Sequence, residues 1–112
     1  MGKFFPKNKK KKSVKPEYEN NALLELSAIV RGNVQGVGFR AIAKSFADQL
    51  GLKGFVRNLP DRNVEICAQG KKQQLEMFLS ELKREFPSRY IEKIDCVFRP
   101  IVNFFVDFKI MR

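Results

Sequence analysis

Histidine is missing altogether from this 112-residue chain, and so is tryptophan. Without histidine there can be no Ser-His-Asp or Cys-His nucleophilic site, no imidazole-ligated metal and no imidazole acid or base. Cysteine is scarce: Cys67 and Cys96 are the only two. They fall on expected strands without metal-type spacing, which reads as two reduced core or sheet thiols. No apolar run approaches the roughly 18 residues of a membrane span. The charged N-terminus has no apolar stretch behind it, so a secretory signal is not expected. A cytoplasmic protein away from membranes is therefore the expectation, with any chemistry left to groups other than imidazole.

Lysine, arginine and phenylalanine are plentiful. The formal net charge is +10, and there are 11 phenylalanines. Residues 1–20 hold seven lysines against two glutamates, a net +5, while the rest of the chain holds 15 basic and 10 acidic residues. The segment 1–21, with its Lys, Asn and Pro and no apolar period, reads as a disordered basic tail. Its charge suits a solvated run or weak attraction to nucleic acid or another polyanion, without base readout. Residues 22–112 read as one domain, a length that suits a single core.

From Leu24 the pattern becomes regular. Leu24, Leu26, Ala28 and Val30 alternate with Glu25, Ser27, Ile29 and Arg31, as a half-buried strand does. Ile42, Ala43, Phe46, Ala47 and Leu50 recur at helical steps, and Gly51 suits a C-cap. Leu52–Asn58 reads as a second strand, followed by a turn in "LPDR". Val64, Ile66 and Ala68 mark a third strand that ends at Gly70. Leu75, Phe78, Leu79 and Leu82 line a second helix that should stop before Pro87. Two further strands are expected, Tyr90–Phe98 and Asn103–Met111, the latter with Phe104, Val106, Phe108 and Ile110 in phase. The order is βαββαβ plus a short last strand. That is an α+β, ferredoxin-like two-layer sandwich, with an antiparallel sheet and two helices on one face.

The junction Asn33–Phe39 joins the first strand to the first helix. Glycines at 32, 36 and 38 let backbone amides turn inward together, and a helix opening near Arg40 adds unpaired N–H groups and partial positive charge. Such a junction can cradle a phosphate, and the Arg40 guanidinium can grip two of its oxygens. Glycine spacing alone does not separate this from an ordinary flexible connection, because neither GxGxxG nor GK[ST] is present.

The literal residues go further. "VRGNVQGVGFR" (Val30 to Arg40) matches the first signature of the acylphosphatase family position by position, and "GFVRN" (Gly54 to Asn58) matches the opening of its second. Val64 and Gly70 also stand where that second signature places them, whereas Arg62 replaces an expected glycine. The chain therefore resembles the acylphosphatase family from Leu24 to about Met111. The resemblance implies a stand-alone enzyme that hydrolyses acyl phosphates to carboxylate and phosphate without cofactor or metal. By the same resemblance Arg40 and the amides of Asn33, Val34, Gln35, Gly36, Val37, Gly38 and Phe39 hold the phosphate, and Asn58 orients the attacking water.

Smaller expectations accompany this reading. The two valines should anchor the loop in the core, Gln35 should hydrogen-bond within the loop or to a neighbouring strand, and Phe39 should pack under the helix. The turn after the second strand needs a positive φ, which Asn63 is suited to supply. With no room for a second domain, a stand-alone enzyme is expected, and a monomer is expected as well. Two alternatives stay open: a non-catalytic ferredoxin-like module that binds RNA or another polyanion, and a non-catalytic or carbamoyl-phosphate-handling relative, since acylphosphatase-like domains also occur within larger proteins.

Overall fold

A computed structural model describes residues 22–112; the basic tail 1–21 and its expected disorder lie outside the described residues. The chain runs β1 (Leu23–Gly32), α1 (Phe39–Gln49), β2 (Lys53–Asn58), β3 (Val64–Lys71), α2 (Lys72–Glu85), β4 (Ile91–Arg99) and β5 (Phe108–Met111). The five strands form one sheet in the order β4-β1-β3-β2-β5. All pairings are antiparallel except β2 with β5. The expected βαββαβ order with a closing strand is therefore the observed one.

Alternation along the strands decides which face the helices cover. Leu26, Ala28 and Val30 of β1 lie opposite Ala68, Ile66 and Val64 of β3, and all six are buried. Val56 of β2 extends the row. Onto it α1 sets Phe39, Ala43 and Ala47, and α2 sets Leu75, Phe78 and Leu82. Each large side chain so buried contributes about 1.5–3 kcal/mol relative to exposure. The first helix ends where expected, with Leu52 N–H donating to Ala47 O at 2.8 Å. The second ends at Glu85, two residues before Pro87, with Lys83 and Arg84 at its negative end.

The last strand is shorter than its periodicity suggests. Only Phe108–Met111 pairs, while Phe104 and Val106 are exposed. The reason is topological. β4 and β5 lie on opposite edges, so the chain must cross four strand spacings of about 4.8 Å each. Residues 100–107 make that crossing over the face the helices leave open. Gln69 of β3 holds the segment there: its Nε2 donates to Asn103 O at 2.8 Å, and its Oε1 accepts from Phe105 N–H at 2.9 Å. Phe105 also packs edge-on to Phe55 of β2, with ring centroids 5.8 Å apart.

Polar residues support this crossing. Glu25 accepts from Gln69 at 2.8 Å and from Arg99 Nε at 2.9 Å. Burial alone would raise the Glu25 carboxyl, but these hydrogen bonds and the Arg99 charge outweigh it and hold its pKa below the ordinary value. Burial, and then the Glu25 charge, push the neighbouring Cys67 thiol up to about 11, so it stays protonated at neutral pH. Both cysteines are free thiols on strands; Cys67 is buried and Cys96 is exposed on the edge strand.

Candidate functional site

The loop between β1 and α1 is pinned at both ends. Val34 and Phe39 are buried, and Phe39 packs against Phe86 with ring centroids 4.9 Å apart. At the loop's start, Asn33 N–H donates to Tyr90 O at 2.8 Å. Between these anchors Gly36 and Gly38 take φ values of 81° and 82°, a left-handed conformation that costs glycine little. The chain thereby turns tightly into the helix. After Asn33, the next N–H of the stretch with a backbone acceptor is that of Ile42, which donates to Gly38 O at 3.1 Å. No side chain caps α1 and no acidic residue sits in its first turn. The Asn33 N–H, expected among the phosphate donors, is committed to Tyr90, whereas the N–H groups from Val34 to Ala41 thus remain available to a ligand at the positive end of the helix.

The facing wall comes from the end of β2 and the hairpin that follows. Gln35 joins the two walls: its Nε2 donates to Leu59 O and to Asn63 O, each at 2.9 Å. One side chain therefore holds the loop against the turn immediately after Asn58. Within that turn Leu59 N–H donates to Asn63 O and Arg62 N–H to Leu59 O. The positive φ falls on Arg62, at 77°, and not on Asn63. Asn63 is held otherwise, with its N–H donating to Asp61 Oδ1 at 3.1 Å. The turn's own hydrogen bonds, closed over by Gln35, place the left-handed residue one position earlier than residue preference suggests.

Between the walls lies a cavity of about 610 Å³, lined by the loop from Gly32 to Val37, by Arg40 and Asn58, and by Arg62, Arg89 and Tyr90. An adjoining cavity of about 270 Å³ shares Val34, Gly36, Arg40 and Asn58 and adds Gly38, Phe39 and Arg112. All nine residues singled out from the sequence line one or both. Val37 departs from expectation: it is 39% exposed and does not anchor the loop, a task left to Val34 and Phe39. Arg40 is half-buried and reaches Met111 O at 3.4 Å, so β5 steadies it from behind. The sequence reading did not include Arg89, Tyr90 and Arg112 in the site. They come from the α2–β4 connection and the C-terminus, and nothing local in the sequence marks them. Arg62 stood out only as a replaced glycine.

The electrostatics have one sign. Three arginines line the larger cavity, a fourth lines the smaller, and neither is lined by an Asp or Glu. Among the described residues no cluster of three or more His, Cys, Asp or Glu converges to hold a metal ion. Free amides, guanidinium groups and a carboxamide can bind an oxyanion and aim a water molecule.

The profile of the acylphosphatase family matches residues 26–110. The chain belongs to the acylphosphatase family. An acylphosphatase of Archaeoglobus fulgidus is 40% identical over 82 residues, which is 73% of this chain and 92% of that protein. An acylphosphatase of Thermus thermophilus is 54% identical over 59 residues, 53% of this chain and 67% of its own. Among solved structures, the acylphosphatase from Bacillus subtilis superposes with a TM-score of 0.74 at 34% identity, covering 80% of this chain and 99% of that one. The acylphosphatase region includes every element that lines the two cavities except Arg112.

Proposed function

We propose that this protein hydrolyses acyl phosphates, using the loop 33–39 and Arg40 to hold the phosphoryl group and Asn58 to orient water. The observation that carries this reading is convergence: the amide loop at the mouth of α1, Arg40 and Asn58 line one cavity, although Asn58 reaches it from a different strand.

The chemistry suits a site without imidazole. The carboxylate of an acyl phosphate is a good leaving group and departs without being protonated. Water attacks phosphorus as the bond to the acyl oxygen breaks. The carboxylate leaves with that electron pair, and the water's proton passes to solvent or to a phosphate oxygen. Phosphoryl transfer of this kind depends on positioning and on stabilising charge at the phosphate oxygens. Loop N–H groups and the planar Arg40 fork supply that charge, each hydrogen bond worth about 1.5–3 kcal/mol when shielded. Asn58 accepts one hydrogen bond from the water through its carbonyl and can donate another through its amide, which fixes the direction of approach.

The substrate is a small molecule, and a cytoplasmic monomer suffices for the site, since every residue invoked comes from one chain. No helix among the described residues is long and apolar enough to cross a membrane. An RNA-binding sheet would offer aromatic side chains on an open face. Here residues 100–107 cross that face, and Glu25 and Glu65 lie beneath them.

The test is turnover of benzoyl phosphate, followed by loss of its ultraviolet absorbance. The wild type is expected to hydrolyse it. Arg40→Ala should fall to background with its thermal midpoint retained, and Arg40→Lys should also fail, because a point charge does not reproduce the two-oxygen grip. A fully active Arg40→Ala protein would refute the reading.

A further inference from the structure

The described chain contains eight arginines, and they divide cleanly. Arg31, Arg57, Arg84 and Arg99 are each paired with a carboxylate, Asp95, Glu65, Glu81 and Glu25 respectively. Among the described residues Arg40, Arg62, Arg89 and Arg112 make no salt bridge, and all four line the two adjoining cavities. Uncompensated guanidinium groups are thus gathered at one place. Arg40 serves the phosphoryl group. Arg62 and Arg89 come from two other elements, the β2–β3 hairpin and the α2–β4 connection, and meet the same larger cavity.

Both side chains are exposed at the cavity. Arg62 stands at φ 77°, a conformation that glycine would take without strain, yet the position carries a long cationic side chain lining the cavity. Arg89 lies over the Tyr90 ring, 5.0 Å from its centroid, and Tyr90 is itself tied to the loop through Asn33. A phosphoryl group occupies roughly two to three times the ~30 Å³ of a liquid water, so most of the 610 Å³ is left for the acyl part. A neutral acyl group there would leave those two exposed cations with water alone as their partner.

We infer that Arg62 and Arg89 form a second anion subsite, which selects acyl phosphates whose acyl group itself carries a carboxylate or phosphate. This rests on the hydrolase reading above and adds a substrate class to it. The phosphoryl group to be transferred sits in the amide loop with Arg40, and the distal anion lies between the two outer guanidinium groups.

The experiment compares kcat/KM for 4-carboxybenzoyl phosphate and 4-methylbenzoyl phosphate, which have similar size and differ in distal charge. The wild type should favour the carboxylated substrate. Arg62→Asn, which tolerates the positive φ, and Arg89→Gln should each lower that preference by roughly five- to tenfold. Lys53→Gln, which removes an exposed charge at the far end of β2, should leave the preference as it was and so separate a local subsite from overall charge. Equal turnover of both substrates by the wild type, or a preference untouched in both arginine variants, overturns the subsite while leaving the hydrolase standing. Failure of the wild type to turn over either compound overturns both. Repeating the comparison with a distal phosphate in place of the carboxylate identifies which anion the subsite prefers.

Discussion

Asn58 ends β2 and lines the cavity shared with the loop and Arg40, and a strand-end asparagine has no structural need of that cavity. If it directs the water, Asn58→Ala should lower kcat by about 10²-fold or more, the scale of losing one oriented polar group in a site. Substrate affinity should be largely kept, since the loop amides and Arg40 remain. Steady-state kinetics on benzoyl phosphate, with inorganic phosphate as a competitive inhibitor, separate the two effects. A rise in KM with kcat unchanged would instead make Asn58 a binding group. Only part of this was legible in the chain. Val30–Arg40 and Gly54–Asn58 carry recognisable patterns, so Arg40, Asn58 and the loop could be named from them. Arg89 and Arg112 carry no local pattern, and only the fold brings them to the cavity.

Elements meet through a few polar contacts whose loss should be measurable. Gln35 satisfies two carbonyls of the β2–β3 turn. Gln35→Ala should destabilise the domain by about 1–2 kcal/mol, read from urea unfolding. It should also weaken phosphate binding, because loop and hairpin are no longer held together. On the opposite face Glu25 links β1 to β3 through Gln69 and to the end of β4 through Arg99. Its folded pKa lies below the ordinary 4.5, so its contribution to stability is complete above that value and fades as pH falls through the folded one. The stability gap between wild type and Glu25→Gln should therefore be full at pH 7 and close progressively below about pH 4.5. A gap that stayed constant on acidification would show that the charge plays no part.

At the scale of the molecule, the tail and the folded unit are separable in charge. Residues 22–112 keep 15 basic and 10 acidic side chains, half of the total excess. No tail residue is needed for the proposed site, and the family match begins at residue 26. A chain lacking residues 1–21 should therefore hydrolyse benzoyl phosphate at close to the full-length rate at about 0.15 M salt, where charges beyond about 8 Å are screened. Its retention on a heparin column should fall to lower salt, because polyanion attraction follows the lost lysines. Loss of turnover in the shortened chain would give the tail a part in the site or its folding.

Alternating and helical periodicities were enough to read β1, β3, α1 and α2 directly, because each buries one face against the same core and hydrophobic burial leaves its period in the sequence. The motif residues were readable for a similar reason: a tight turn into a helix requires particular residue types next to one another. Tertiary structure alone decided the rest. Residues 103–106 share the apolar period of β5 yet do not pair with a strand, because the chain must first travel from one sheet edge to the other. Arg62 takes the left-handed turn position because Gln35 and the turn's own bonds close around it. The gathering of four arginines, none salt-bridged among the described residues, at two adjoining cavities depends on through-space neighbours from the β1–α1 junction, the hairpin, the α2–β4 connection and the C-terminal residue, and a linear pattern carries no record of such distances.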